Sequence, residues 1–299
     1  LRPTALFFAY LGAALVLGAV IAYPAYAAFG VAIDEPMYRF VTRAGMLVAL
    51  LGAVSFLRCL SLNNTVALGY GAPRREFISD IFKGLAAGVT IMLPLVLTLF
   101  ALDVRTIDPQ WVFSWPDLLL GALQALITGL IVAVVEETFF RGAMFTAVNR
   151  TSGLWPAATS TSLLYAAVHF ITTEYDVPVN QVQWYDGLIV LVHCFEQFAE
   201  PAAILDSFLA LFVVGLFLAL VRARHGHIAH CIGLHAGWVL IIQLTKDITV
   251  DDPNARFSYL TGDYDNVIGL LALGLLTALT VVYYVAAMRG GQSTDLNNQ

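Results

Sequence analysis

Long apolar stretches alternate with short polar ones along the chain, and the stretches have the length of membrane spans. Nearly uncharged runs fall at about 5–28, 44–60, 82–102, 117–146, 154–172, 204–221, 228–245 and 267–288, each close to the ~20 residues that cross a hydrocarbon core of about 30 Å as a helix. The pattern predicts an all-α, polytopic membrane protein with about eight transmembrane helices. The apolar segment 188–200 carries His193 and Glu196 and leads to Pro201, which predicts an interfacial or re-entrant helix. The run Ala5–Ala22 exceeds the roughly 7–15 apolar residues of a secretory signal, so Ala25-Tyr26-Ala27 reads as part of a first helix rather than a cleavage site. No repeat or soluble module interrupts the pattern. Residues 1–299 read as a single integral-membrane domain whose polar tail, 290–299, is expected to be disordered.

Composition agrees with this pattern. The 299 residues are 59% hydrophobic and 12% charged, where a soluble domain carries about 25% charge. Without a basic stripe, nucleic acid is excluded as a partner, and the lipid bilayer is the expected environment. With the N-terminus on the cytoplasmic side, eight basic residues fall in cytoplasmic segments and five on the opposite side. That bias predicts that both termini of this multi-pass protein are cytoplasmic; in a prokaryote the membrane would be the inner or plasma membrane. Cys59, Cys194 and Cys231 lie far apart in or beside apolar stretches, which predicts buried thiols rather than a disulfide or a zinc knot.

Charge within the spans marks the candidate chemistry. Glu136, Glu137 and Arg141 follow an apolar run beginning after Asp117, and ionisable groups at membrane depth face a protein-lined or hydrated cavity. Residues four apart share a helix face while neighbours diverge by about 100°. Glu137 is therefore expected to pair with Arg141, leaving Glu136 free to accept a proton. Tyr165 and His169 share a face of the fifth predicted helix, and His235 in the seventh is flanked by small residues that permit close helix approach. Counting about 1.5 Å per residue from the nearest loops puts Glu136 roughly 20 Å deep, His169 roughly 25 Å and His235 roughly 12 Å. His225, His227 and His230 follow a spacing compatible with metal, but their basic surroundings favour polar anchoring at the membrane surface. His193 has no neighbouring pattern.

These residues resemble the type II CAAX prenyl endopeptidase family, also called the CAAX-protease and bacteriocin-processing family. Its EExxxR motif is matched by Glu136, Glu137 and Arg141, and its FxxxH motif by Tyr165 and His169, with tyrosine in place of phenylalanine. Its HxxxN motif is matched at His235 alone, because Val239 replaces the asparagine. The family-like core occupies about 117–245. The resemblance implies an intramembrane endopeptidase in which Glu136 and His169 activate water and His235 helps to form an oxyanion hole. Loss of the asparagine removes one donor, for which the Trp238 indole is a candidate substitute.

No serine or cysteine lies in a nucleophile motif such as GxSxG, so base-activated water is the economical nucleophile. Zinc or another divalent metal held by Glu136, His169 and His235 stays open, although HExxH is absent. The expected substrate is a peptide or membrane protein, with or without a prenyl group. Two alternatives remain: a proton-coupled transporter, which would favour duplicated halves not seen here, and a catalytically inactive scaffold or immunity protein, consistent with Val239.

Overall fold

A computed structural model describes residues 2–296. In chain order the helices are α1 (Arg2–Ala25), α2 (Val31–Ile33), α3 (Met37–Cys59), α4 (Arg74–Ala101), α5 (Trp115–Glu137), α6 (Phe145–Ser152), α7 (Leu154–His169), α8 (Asp186–His193), α9 (Pro201–His225), α10 (Ala229–Ile248) and α11 (Leu270–Leu296). Two three-residue strands, β1 (Arg105–Ile107) and β2 (Thr249–Asp251), pair antiparallel. The fold is thus all-α apart from one small ribbon, and 76% of it is helical.

Among the described residues, five helical segments are long and apolar enough to cross a membrane: Pro3–Gly30, Met37–Cys59, Arg74–Ala101, Trp115–Ser152 and Pro201–His225. The expected count of eight is not established. Of the other three runs, α7 has 16 residues, α10 carries His230, His235, Gln243, Lys246 and Asp247, and the apolar part of α11 is Leu270–Ala286. The segment 188–200 forms the eight-residue α8 and a 3-10 turn, Glu196–Ala199, too short to span. Helix α11 continues to Leu296, through much of the segment read as a disordered tail, and residues 297–299 lie outside the described residues.

The helices gather into two compact units. One comprises residues 1–63 and 164–204. Its core joins Ala19, Ala22 and Tyr26 to Met37 and Val41 of α3 and to Val190 and Leu191 of α8. Helices α1 and α8 meet at Gly187, where a Cβ would stand 2.0 Å from the Ala19 carbonyl oxygen. At the turn before α3, Arg39 and Arg43 bond Glu35 at 2.7 and 3.3 Å. The Arg39 hydrogen bond holds the Glu35 carboxyl below its ordinary range, with Arg43 adding to the effect. An apolar cavity of about 550 Å³ lies between α1, α3 and the end of α7, with Phe8, Leu15, Met46, Val168 and Phe198 in its wall.

The other unit comprises residues 64–163 and 205–299. Its centre is a pair of interlocking glycine motifs, Gly84-xxx-Gly88 on α4 and Gly233-xxx-Gly237 on α10. A Cβ on Gly233 would lie 2.1 Å from Ile81 O, on Gly88 2.5 Å from Leu234 O, and on Gly237 2.7 Å from Leu85 O. Only residues without a side chain let the two backbones approach this closely, the usual device for joining helices in lipid. Beside this seam, Ala133 of α5 packs with Ile228, Ile232 and Ala236, flanked by Phe77, Ile81, Leu85 and Leu130. The β-ribbon closes the far end of α4 and α10. There the buried Arg105 donates to Thr249 Oγ1 at 2.7 Å, Thr249 O at 2.9 Å and Asn266 O at 2.9 Å. Burial draws the Arg105 guanidinium below its ordinary pKa, against the pull of Asp251 and Asp265.

Candidate active site

Glu136 and Glu137 are the last two residues of α5, and the helix then widens into a π-helical stretch, Thr138–Met144, before α6. Insertions of this kind concentrate at functional sites because the wider turn redirects side chains. Thr138 fixes the start of the stretch: its Oγ1 lies 2.5 Å from the Tyr70 hydroxyl and donates to Val134 O. Gly142, inside it, packs its backbone on Leu68, whose carbonyl oxygen is 2.5 Å from where a Cβ would stand.

Glu137 and Arg141 are both fully buried and pair at 3.1 Å, as their spacing predicts. The guanidinium also reaches Gly215 O at 3.4 Å. Sequence spacing did not disclose the second partner of Glu137: its Oε1 lies 2.9 Å from His235 Nδ1. That contact fixes the ring and makes Nδ1 the donor, so the neutral imidazole presents Nε2 as an acceptor and the imidazolium presents it as a second donor. His235 Nε2 faces Glu136 Oε2 at 4.0 Å. This gap is too long for a direct hydrogen bond and short enough for one small molecule to bridge from the side. Glu136 is partly exposed, at 27% of its side chain, and its Oε2 has no hydrogen-bond partner among the described residues.

Glu136, Glu137, Arg141 and His235 therefore form one constellation in the second unit. The depth count separated Glu136 from His235 by several ångströms, whereas their side chains approach to 4.0 Å. Trp238 is buried beside Phe217, with ring centroids 6.1 Å apart, and its indole N–H meets no acceptor among the described residues. Val239 turns toward α5, its Cβ 3.2 Å from where a Cβ on Gly129 would stand. Tyr165 and His169 belong to the first unit. Their rings lie 4.6 Å apart, and His169 Nδ1 is 2.7 Å from Tyr165 O. The shared helix face expected of this pair is present.

Arg222 was visible in the sequence only as a loop charge. It is buried, and its Nε donates to Arg141 O at 3.1 Å, holding the π-helical backbone from α9. A lone arginine at a helix end carries no sign of this role, since the acceptor lies 81 residues earlier.

A carboxylate, an imidazole fixed by a second carboxylate, and apolar spans around them define an integral membrane protein with a candidate acid–base centre. The sequence comparison is more specific: residues 118–241 match the family described as Rce1-like, type II CAAX prenyl endopeptidase Rce1-like, so this segment is an Rce1-like domain. The match covers Glu136, Glu137, Arg141, Tyr165, His169 and His235. No curated protein and no solved structure shows significant similarity to the chain.

Proposed function

We propose that the chain is an intramembrane endopeptidase in which Glu136 takes the proton from an attacking water. The observation that carries this reading is the placement of Glu136 Oε2, without a hydrogen bond among the described residues and 4.0 Å from an imidazole that Glu137 orients. Water held between the two groups would lose a proton to Glu136 as it attacks the scissile carbonyl. As an imidazolium, His235 would donate Nε2–H to the developing oxyanion, where a fixed donor is worth about a hundredfold or more in rate. His169 is assigned the assisting base through its motif. Tyr165 positions it, and the Trp238 indole N–H, without an acceptor among the described residues, supplies the donor that Val239 lacks. The protonated Glu136 would then pass its proton to the leaving amine. The substrate class is a membrane-associated peptide or protein, with or without a prenyl group, cut at a site reached from the cytoplasmic side.

Should a divalent metal such as zinc take part, Glu136, His169 and His235 are its proposed ligands. Metal content and chelator sensitivity of protein freed of any histidine tag test that version. For the main reading the test is Glu136→Gln, assayed on membrane peptides that accumulate in cells carrying the variant. Cleavage is expected to vanish while membrane insertion and thermal stability hold, and full activity would refute the role. Val239 favours a second reading, an inactive scaffold that holds a membrane partner. Under it no peptide accumulates, and partner capture survives the substitution.

A further inference from the structure

The glycine seam between α4 and α10 has a consequence one turn beyond its end. Asp80 stands four residues before Gly84, and there the seam brings it against the junction that enters α10. Asp80 Oδ2 lies 3.4 Å from His227 Nε2 and 3.6 Å from His230 Nδ1. All three ligand atoms fall within 4.8 Å of one another. Asp80 and His227 are buried, and His230 Nδ1 is itself a buried atom with no hydrogen bond among the described residues. Lys83 occupies the other oxygen of Asp80 at 2.7 Å, which fixes the carboxylate with Oδ2 turned to the imidazoles. On the outer side His225 stacks on His230, with ring centroids 3.9 Å apart.

We infer that Asp80, His227 and His230 form a binding site for a divalent transition metal of the zinc class, separate from the Glu136–His235 centre. Metal bonds of about 2.0–2.1 Å at tetrahedral angles put neighbouring ligand atoms roughly 3.3–3.4 Å apart. The separations of 3.4 and 3.6 Å between Asp80 and the two histidines are close to that value. Two nitrogens and one carboxylate oxygen suit zinc or cobalt rather than calcium or magnesium. A fourth position remains for water or for the His225 ring. To bind through Nε2, His227 carries its proton on Nδ1 and gives up the long 3.4 Å bond from the Ala229 N–H. The three histidines alone suggested surface anchoring. The missing ligand comes from another helix, 147 residues before His227, where no spacing rule reaches it. Bound there, the metal would clasp the start of α4 to the start of α10 and stiffen the helix that carries His235.

The test uses full-length, tag-free protein in detergent, stripped with chelator and titrated with Zn²⁺ by calorimetry and with Co²⁺ by visible absorption. One equivalent is expected to bind, with the ligand-field bands of a cobalt site of low coordination number, and Zn²⁺ is expected to raise the Tm of the unmodified protein. Asp80→Asn and the double variant His227→Ala/His230→Ala should weaken binding by at least about a hundredfold, since loss of a mere supporting contact already costs 10–100-fold. Glu136→Gln and His235→Asn should bind as the parent does. Absence of binding by the parent, or binding lost in the Glu136 and His235 variants and kept in the Asp80 variant, would overturn the assignment. The Tm shift requires no variant, so a misfolded substitution does not obscure the result.

Discussion

At Glu137 one carboxylate oxygen meets both Arg141 and His235, while the other has no hydrogen-bond partner among the described residues. Removing one member of a buried ion pair strands the other, at a cost of about 3–5 kcal/mol. Glu137→Ala is therefore expected to lower the thermal stability of the detergent-solubilised protein strongly, whereas Glu136→Gln, at a partly exposed position, should change it little. A proteolytic assay cannot separate these two residues, since loss of either would abolish turnover, but a melting curve can. The same scale decides the oxyanion question. Trp238→Phe keeps the ring and deletes the N–H, and kcat should fall by about a hundredfold with KM nearly unchanged. Adding Val239→Asn to that variant should recover part of the rate.

Among the helices, α4 and α10 depend most on having no side chain where they cross. Gly233→Ala would drive a methyl group into the Ile81 carbonyl, and overpacking of this kind costs about 1–3 kcal/mol. Gly274, on α11, has nothing within 4 Å of its would-be Cβ. Alanine there should leave stability unchanged or raise it by up to about 1 kcal/mol. Thermal denaturation of the two variants in parallel checks the contrast. Helical pattern, the Glu137–Arg141 pair and the Tyr165–His169 pair were legible in the sequence, because each depends on positions a turn apart. Contacts between distant segments were not. The bond from Glu137 to His235 spans 98 residues and that from Arg222 to Arg141 spans 81. The π-helical turn was also hidden, since it leaves the apolar pattern intact while changing the pitch.

For the whole molecule, the sequence yielded a helical membrane protein, and five of its eight expected spans correspond to described helical segments long and apolar enough to cross. Helix α10 has the length of a span, but its middle is buried in protein and carries His235. The cysteines divide in the same way: Cys194 and Cys231 are buried, but Cys59, at the end of α3, is exposed, contrary to the expectation of three buried thiols. This difference supplies a probe of orientation. A membrane-impermeant maleimide should label Cys59 alone, and the loop-charge bias predicts labelling of inside-out vesicles but not of intact cells. The reverse pattern would invert the proposed topology.

The wide turn at Thr138–Met144 makes this part of the chain tolerant of a change in length. A π-bulge accommodates one residue more than a regular helix holds, so excising a single residue from it would allow ordinary α-helix to form while the flanking turns keep their facing. Arg141 would still follow Glu137 by three or four residues, spacings at which helical side chains meet. A chain with a one-residue gap here would retain its charged core, provided the gap spares Arg141 itself.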